Sequence, residues 1–125
     1  MDDPRKLIYH ITTQSAWATS QAIGQVEAES LSSEGFIHCS RQRQLLAVAE
    51  RFFPGANDLI VLGVDEEAVA PWLVNEGPAG PDDPFAQEVF PHVYGPIPIS
   101  AVVAAALLET GVDGRFVWPP DLSSK

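Results

Sequence analysis

Residues 58–65, DLIVLGVD, set the first constraint on the fold. Five large apolar side chains in six positions leave this stretch no polar face. A strand of that kind belongs at the centre of a sheet. The rest of the chain must therefore supply flanking strands and the layers that cover them. With 125 residues, 46% of them apolar, one domain spanning 1–125 can do so without covalent staples. The single cysteine, Cys39, rules out an internal disulfide and fits a reducing compartment. No basic stretch followed by an apolar one opens the sequence, and no apolar run approaches the roughly 20 residues that span a bilayer. A cytoplasmic monomer or small homo-oligomer is expected. Seventeen acids against seven bases give a formal charge of -10, which repels nucleic acid and anionic membranes.

Around the central run the pattern predicts an α+β domain with two clear helices. KLIYHIT (6–12) alternates as a strand does, with His10 sharing a face with Ile8 and Thr12. A helix is predicted to follow, capped by Thr13, anchored inward by Trp17 and stopped by Gly24. Residues 25–35 are polar and read as irregular. GFIHC is a second strand, with Phe36 and His38 on one face and Ile37 and Cys39 on the other. Ser40 is the expected N-cap of a helix over 41–53, whose apolar stripe is Leu45, Leu46, Val48, Ala49 and Phe52. EEAVAPWL is a turn or short helix broken at Pro71. Residues 75–88 read as a loop, and VFPHVYGPIP as too proline-rich for a central strand. The tail fits a hairpin, SAVVAAALLET turning at GVDG into RFVW, better than an alanine-rich helix. Trp17, Trp72 and Trp118 are assigned to the core.

The candidate chemistry lies in the three histidines, none of which is spent on a plain helix surface. His10 and His38 sit in strands, and His92 sits in a rigid loop with Tyr94, between Pro91 and Pro96. If the first two strands are neighbours, both rings and the hydroxyls of Thr12 and Ser40 line one cleft. For any single histidine, the commoner arrangement is a ring tied off by hydrogen bonds in a strand.

Three chemistries compete. A histidine–metal hydrolase suits the residue types, but no H-x-H, H-x-x-x-H or C-x-x-C spacing supports it, and no metal ligands are assigned. Catalysis by Cys39 is disfavoured, because adjacent strand residues point apart and His38 is badly placed to deprotonate it. The third is a small phosphorylated nucleotide ligand, held where Ser40, Arg41 and Arg43 gather at a helix start. Against it, both arginines can simply pair with surface acids. No glycine-rich nucleotide loop is present.

YHIT, GFIHCS, the Trp72–Glu76 region and FPHVYGPIP together resemble the domain-of-unknown-function 952 family over about residues 7–118. The pairing of GFIH-x-S with FPH-x-YGP-x-P is the specific element. The resemblance implies a small ADP-ribosyltransferase-like fold, with two small sheets forming a cleft that binds NAD. It implies that His10 and Thr12 contact the nicotinamide-side ribose, and that GFIHCS lines the nicotinamide. A late acid would orient ribose or acceptor, with Glu76 and Glu88 both candidates. Glu76 departs from the family's Trp–Glu pair in being separated from Trp72 by LVN. His92 and Tyr94 are the family's own feature. His10, His38, His92 and Glu76 are thus the candidate catalytic residues. Thr12, Ser40, Arg41 and Tyr94 are the candidate binding residues, with NAD as substrate. A non-catalytic ligand-binding module with the same cleft is the principal alternative.

Overall fold

In the computed structural model, which describes residues 6–77, 85 and 87–122, the chain begins β1 (Leu7–Thr13), α1 (Gln14–Ile23), β2 (Gln25–Val26), α2 (Glu29–Ser33) and β3 (Ile37–His38). It continues α3 (Gln42–Phe52), β4 (Leu59–Asp65), a 3₁₀ turn (Glu67–Trp72), β5 (Leu73–Glu76) and β6 (Phe90–Val93). It ends β7 (Ile97–Pro98), β8 (Val102–Leu107), β9 (Glu109–Thr110) and β10 (Phe116–Val117). The described residues form an α+β domain with four small sheets. No helix among them is long and apolar enough to cross a membrane.

The apolar run is β4, between β1 and β8 and antiparallel to both. Ile60, Leu62 and Val64 pack with Ile8, Ile37 and Val93 in one core cluster. Leu59 and Val61 pack with Tyr9, Leu45 and Ala49 in another. Both faces of the strand are covered, which is why it carries no polar side. At Gly63 the register against β8 shifts, and an added Cβ would stand 3.3 Å from Ala104 Cβ and from Leu7 Cδ1. Glycine there lets three strands approach closely.

A second three-stranded sheet runs β3-β6-β5. Here the structure corrects the sequence reading, because FPHV is its central strand despite Pro91. The N and C=O of a strand residue point to the same side. The Pro91 carbonyl accepts from the Cys39 N–H at 3.1 Å, so the missing donor also lies on the β3 side, where that two-residue strand has ended. Ile37, Cys39, Val93 and Leu73 turn into the first core. By alternation, Phe36, His38, His92, Tyr94 and Glu76 belong to the opposite face. The two larger sheets join where Tyr9 and Ser40 exchange backbone hydrogen bonds of 2.8 and 2.7 Å.

Local signals place α1 as expected. Thr13 Oγ1 accepts from the Ala16 N–H at 3.1 Å, and Gly24, at φ 92°, closes the helix. For α3 the cap is displaced by one residue. Arg41 is the N-cap, and its N–H donates to Gln44 Oε1 at 2.8 Å, while Ser40 is engaged with β1. Leu45 and Ala49 of its stripe are buried, and Phe52 is exposed. Residues 25–35, read as irregular, hold β2 and α2. The tail forms β8 and then the β9–β10 hairpin, turning through Gly114 at φ 80°. Trp17 and Trp118 pack against the cores, but Trp72 is 46% exposed and is not a core residue. The expected loop at 75–88 starts late, since β5 extends to Glu76; its residues 78–84 and 86 lie outside the described residues.

Candidate functional site

The Tyr9–Ser40 bridge lays β1 against the end of β3, and the β3–β6 register sets His38 opposite His92. Three imidazoles distant in sequence are therefore brought together. His10 Nδ1 lies 2.8 Å from the carbonyl oxygen of His38, and the His38 and His92 ring centroids are 5.4 Å apart. All three rings line an open hollow of about 1020 Å³, with Thr12, Ser40, Tyr9 and Phe90 among its other walls.

His92 is the most constrained of the three. Its side chain is almost wholly buried, and its Nδ1 lies 2.8 Å from Glu76 Oε2. The Tyr94 hydroxyl donates to the same carboxylate oxygen. Phe36 stacks on the imidazole, with centroids 4.0 Å apart and planes 14° from parallel. The β5–β6 register, with Val74 opposite His92 and Glu76 opposite Phe90, brings the carboxylate within reach. The Tyr94 hydroxyl, then His92, hold the Glu76 carboxyl below its ordinary range, and the same carboxylate raises the Tyr94 phenol.

These partners fix the tautomers. A carbonyl oxygen only accepts, so the Nδ1 of His10 carries the proton it donates to His38. Burial lowers the pKa of His10 and keeps the ring neutral. His92 Nδ1–H donates to the Glu76 carboxylate in the same way. Neither ring's Nε2 has a hydrogen-bond partner among the described residues. The one fully buried, unpartnered side-chain nitrogen or oxygen among them is Trp118 Nε1, so both Nε2 atoms reach open space, at rings that line the hollow. In the Nδ1–H tautomer the Nε2 atom offers a lone pair there. A carboxylate-oriented imidazole with an open lone pair is the geometry of a general base.

The remaining candidates divide. His38 is exposed and pairs with Glu34, four residues earlier, at 3.3 Å. Arg41 is occupied elsewhere: its guanidinium contacts both Glu66 oxygens, at 2.7 and 3.2 Å, and Asn75 Oδ1 at 2.8 Å. Arg43 pairs with Glu88 at 3.0 Å. Gln44 and Arg43 hold the Glu88 carboxyl below its ordinary range, so Glu88 ties down the start of α3, and Glu76 is the acid that contacts a histidine of the cluster other than exposed His38. Cys39 is buried in the core with its thiol pushed up to about 12, consistent with a packing role. Among the described residues, no group of three His, Cys, Asp or Glu side chains is arranged to hold a metal ion.

Two members of the site carried no sequence signal of their own. Phe36 shares the His38 face by alternation, but its stacking on His92 depends on the β3–β6 register. Glu34 lies within a segment read as irregular, and its approach to His38 depends on the turn after α2.

A family model described as "Protein of unknown function (DUF952)" matches residues 11–105. The crystal structure of protein CC0527 from Caulobacter crescentus is similar at 31% identity, covering 90% of this chain and 94% of that one, with a TM-score of 0.77. The solution NMR structure of the same Caulobacter protein gives 32% identity, 87% and 90% coverage and a TM-score of 0.73. None of the curated proteins matches.

Proposed function

We propose that this chain, which belongs to the DUF952 family, binds a sugar-bearing small ligand in the histidine-lined hollow, and that the ligand is NAD or a related nucleotide. One observation carries the reading: two nearly buried imidazoles that line the hollow spend Nδ1 internally and keep an unpartnered Nε2. Lone pairs that only accept are matched to the hydroxyl donors of a ribose. His10 and Thr12, on one strand face, are the residues that would hold it.

The ADP-ribosyltransferase-like reading adds a reaction. The C1′–N bond of the nicotinamide riboside breaks, nicotinamide leaves with the bonding pair, an acceptor oxygen bonds to C1′, and the acceptor proton passes to His92 Nε2. In that step Glu76 orients His92 and balances the imidazolium charge. Tyr94 holds the carboxylate in place through its hydroxyl. Glu76 therefore acts through His92, as a positioning residue.

Incubating the protein with NAD and measuring free nicotinamide tests this. The expected result is release that falls on the order of 10²-fold in His92→Gln. Binding of NAD without release would assign the hollow to a non-catalytic binding module. Absence of a melting shift with both NAD and ADP-ribose would overturn the nucleotide reading.

A further inference from the structure

The charge around the hollow narrows what it can hold. Three carboxylates, Glu27, Glu29 and Glu34, stand among its lining residues. No arginine or lysine does, among the described residues. Of the arginines near it in sequence, Arg41 is neutralised by Glu66 and Arg43 by Glu88, while Arg51 stands over Phe52. The lining also carries the aromatic side chains of Tyr9 and Phe90; the Phe52 ring is taken by the Arg51 guanidinium, 5.1 Å from its centroid. Acids and ring faces both attract a cation and repel a phosphate. Independently of the acids, His10, 6% exposed, presents an unpartnered ring nitrogen that only a donor can satisfy, its Nδ1 proton being given to the His38 carbonyl. A phosphate has no donor to give it when fully ionised.

We infer that the hollow selects positive charge: its occupant is an organic cation with a flat ring and hydroxyl or N–H donors, and phosphate is not part of what it recognises. The inference rests on the hollow's being a ligand site. Within the nucleotide reading, it assigns the hollow to the pyridinium–ribose end of NAD and leaves the diphosphate outside.

Calorimetric titration at low and high salt separates the possibilities, with four probes: nicotinamide riboside, NAD, NADH and ADP-ribose. The first has the cationic ring and no phosphate, and the last has phosphates and no ring cation. NADH keeps both phosphates but its ring is uncharged. The expected result is that nicotinamide riboside and NAD bind with similar affinity, with ADP-ribose and NADH at least about tenfold weaker. Affinity for the riboside should fall with added salt, and by about three- to tenfold in Glu29→Gln or Glu34→Gln. Both positions are exposed, so circular dichroism should show the fold intact. Equal binding of ADP-ribose and NAD, with none of the riboside, would overturn charge selection and leave the nucleotide reading standing. Binding of the riboside but not NAD would sustain charge selection and overturn the dinucleotide. No binding of any probe would overturn both.

Discussion

His10 shows how one side chain can serve both fold and site. Its Nδ1 closes the contact between β1 and β3 by donating to the His38 carbonyl, while burial resists protonation of the ring. The consequence for stability has a definite sign. In the unfolded chain this imidazole takes up a proton at its ordinary value of 6.5, whereas the folded ring does so only at lower pH. Between those two values the unfolded state binds more protons, so stability rises with pH there and is lost as pH falls below 6.5. His10→Asn keeps an N–H donor for the carbonyl but cannot titrate. Urea midpoints measured across that window are expected to show a shallower pH dependence in the variant. An unchanged dependence would mean that the ring is not held as described.

At the scale of elements, Arg41 fastens the start of α3 to the turn after β4 and to β5, through Glu66 and Asn75. The pair is about two-thirds to four-fifths buried and the guanidinium reaches both carboxylate oxygens, so it is stronger than an ordinary surface pair. Arg41→Ala is expected to cost about 1–2 kcal/mol, read as a lowered urea midpoint. If Arg41 instead gripped a ligand's phosphate, the variant would lose ligand affinity with stability unchanged. The elements also show what a sequence reveals. The ends of α1 were legible because Thr13 and Gly24 act on their own helix. The start of α3 lies one residue beyond the expected position because Ser40, a good cap by type, is bonded to Tyr9, thirty-one positions earlier. Strand β6 departs from the sequence expectation because a proline excludes a strand only where its missing N–H is needed, and that depends on the partner's length.

For the whole molecule, the apolar run at 58–65 did dictate the centre, because both faces of β4 are covered by packed side chains. The α+β class followed from patterns that are local. The candidate site did not. Its histidines could be singled out, and His10 and His38 assigned to strand faces, but their meeting depends on the Tyr9–Ser40 bridge and the His38–His92 register. The choice between Glu76 and Glu88 needed the same long-range information: one carboxylate meets His92, and the other meets Arg43 and Gln44.

With only three histidines in the chain, the ring nitrogens can be observed one by one in ¹⁵N-labelled protein. Nitrogen–proton correlation spectra of the neutral rings test most directly whether His10 and His92 carry Nδ1–H and offer bare Nε2 atoms to a shared space. The expected result is the Nδ1–H form for both, with both Nε2 resonances shifting together on titration with nicotinamide riboside. Protons found on Nε2 of either ring, or ligand shifts confined to one of them, would contradict it.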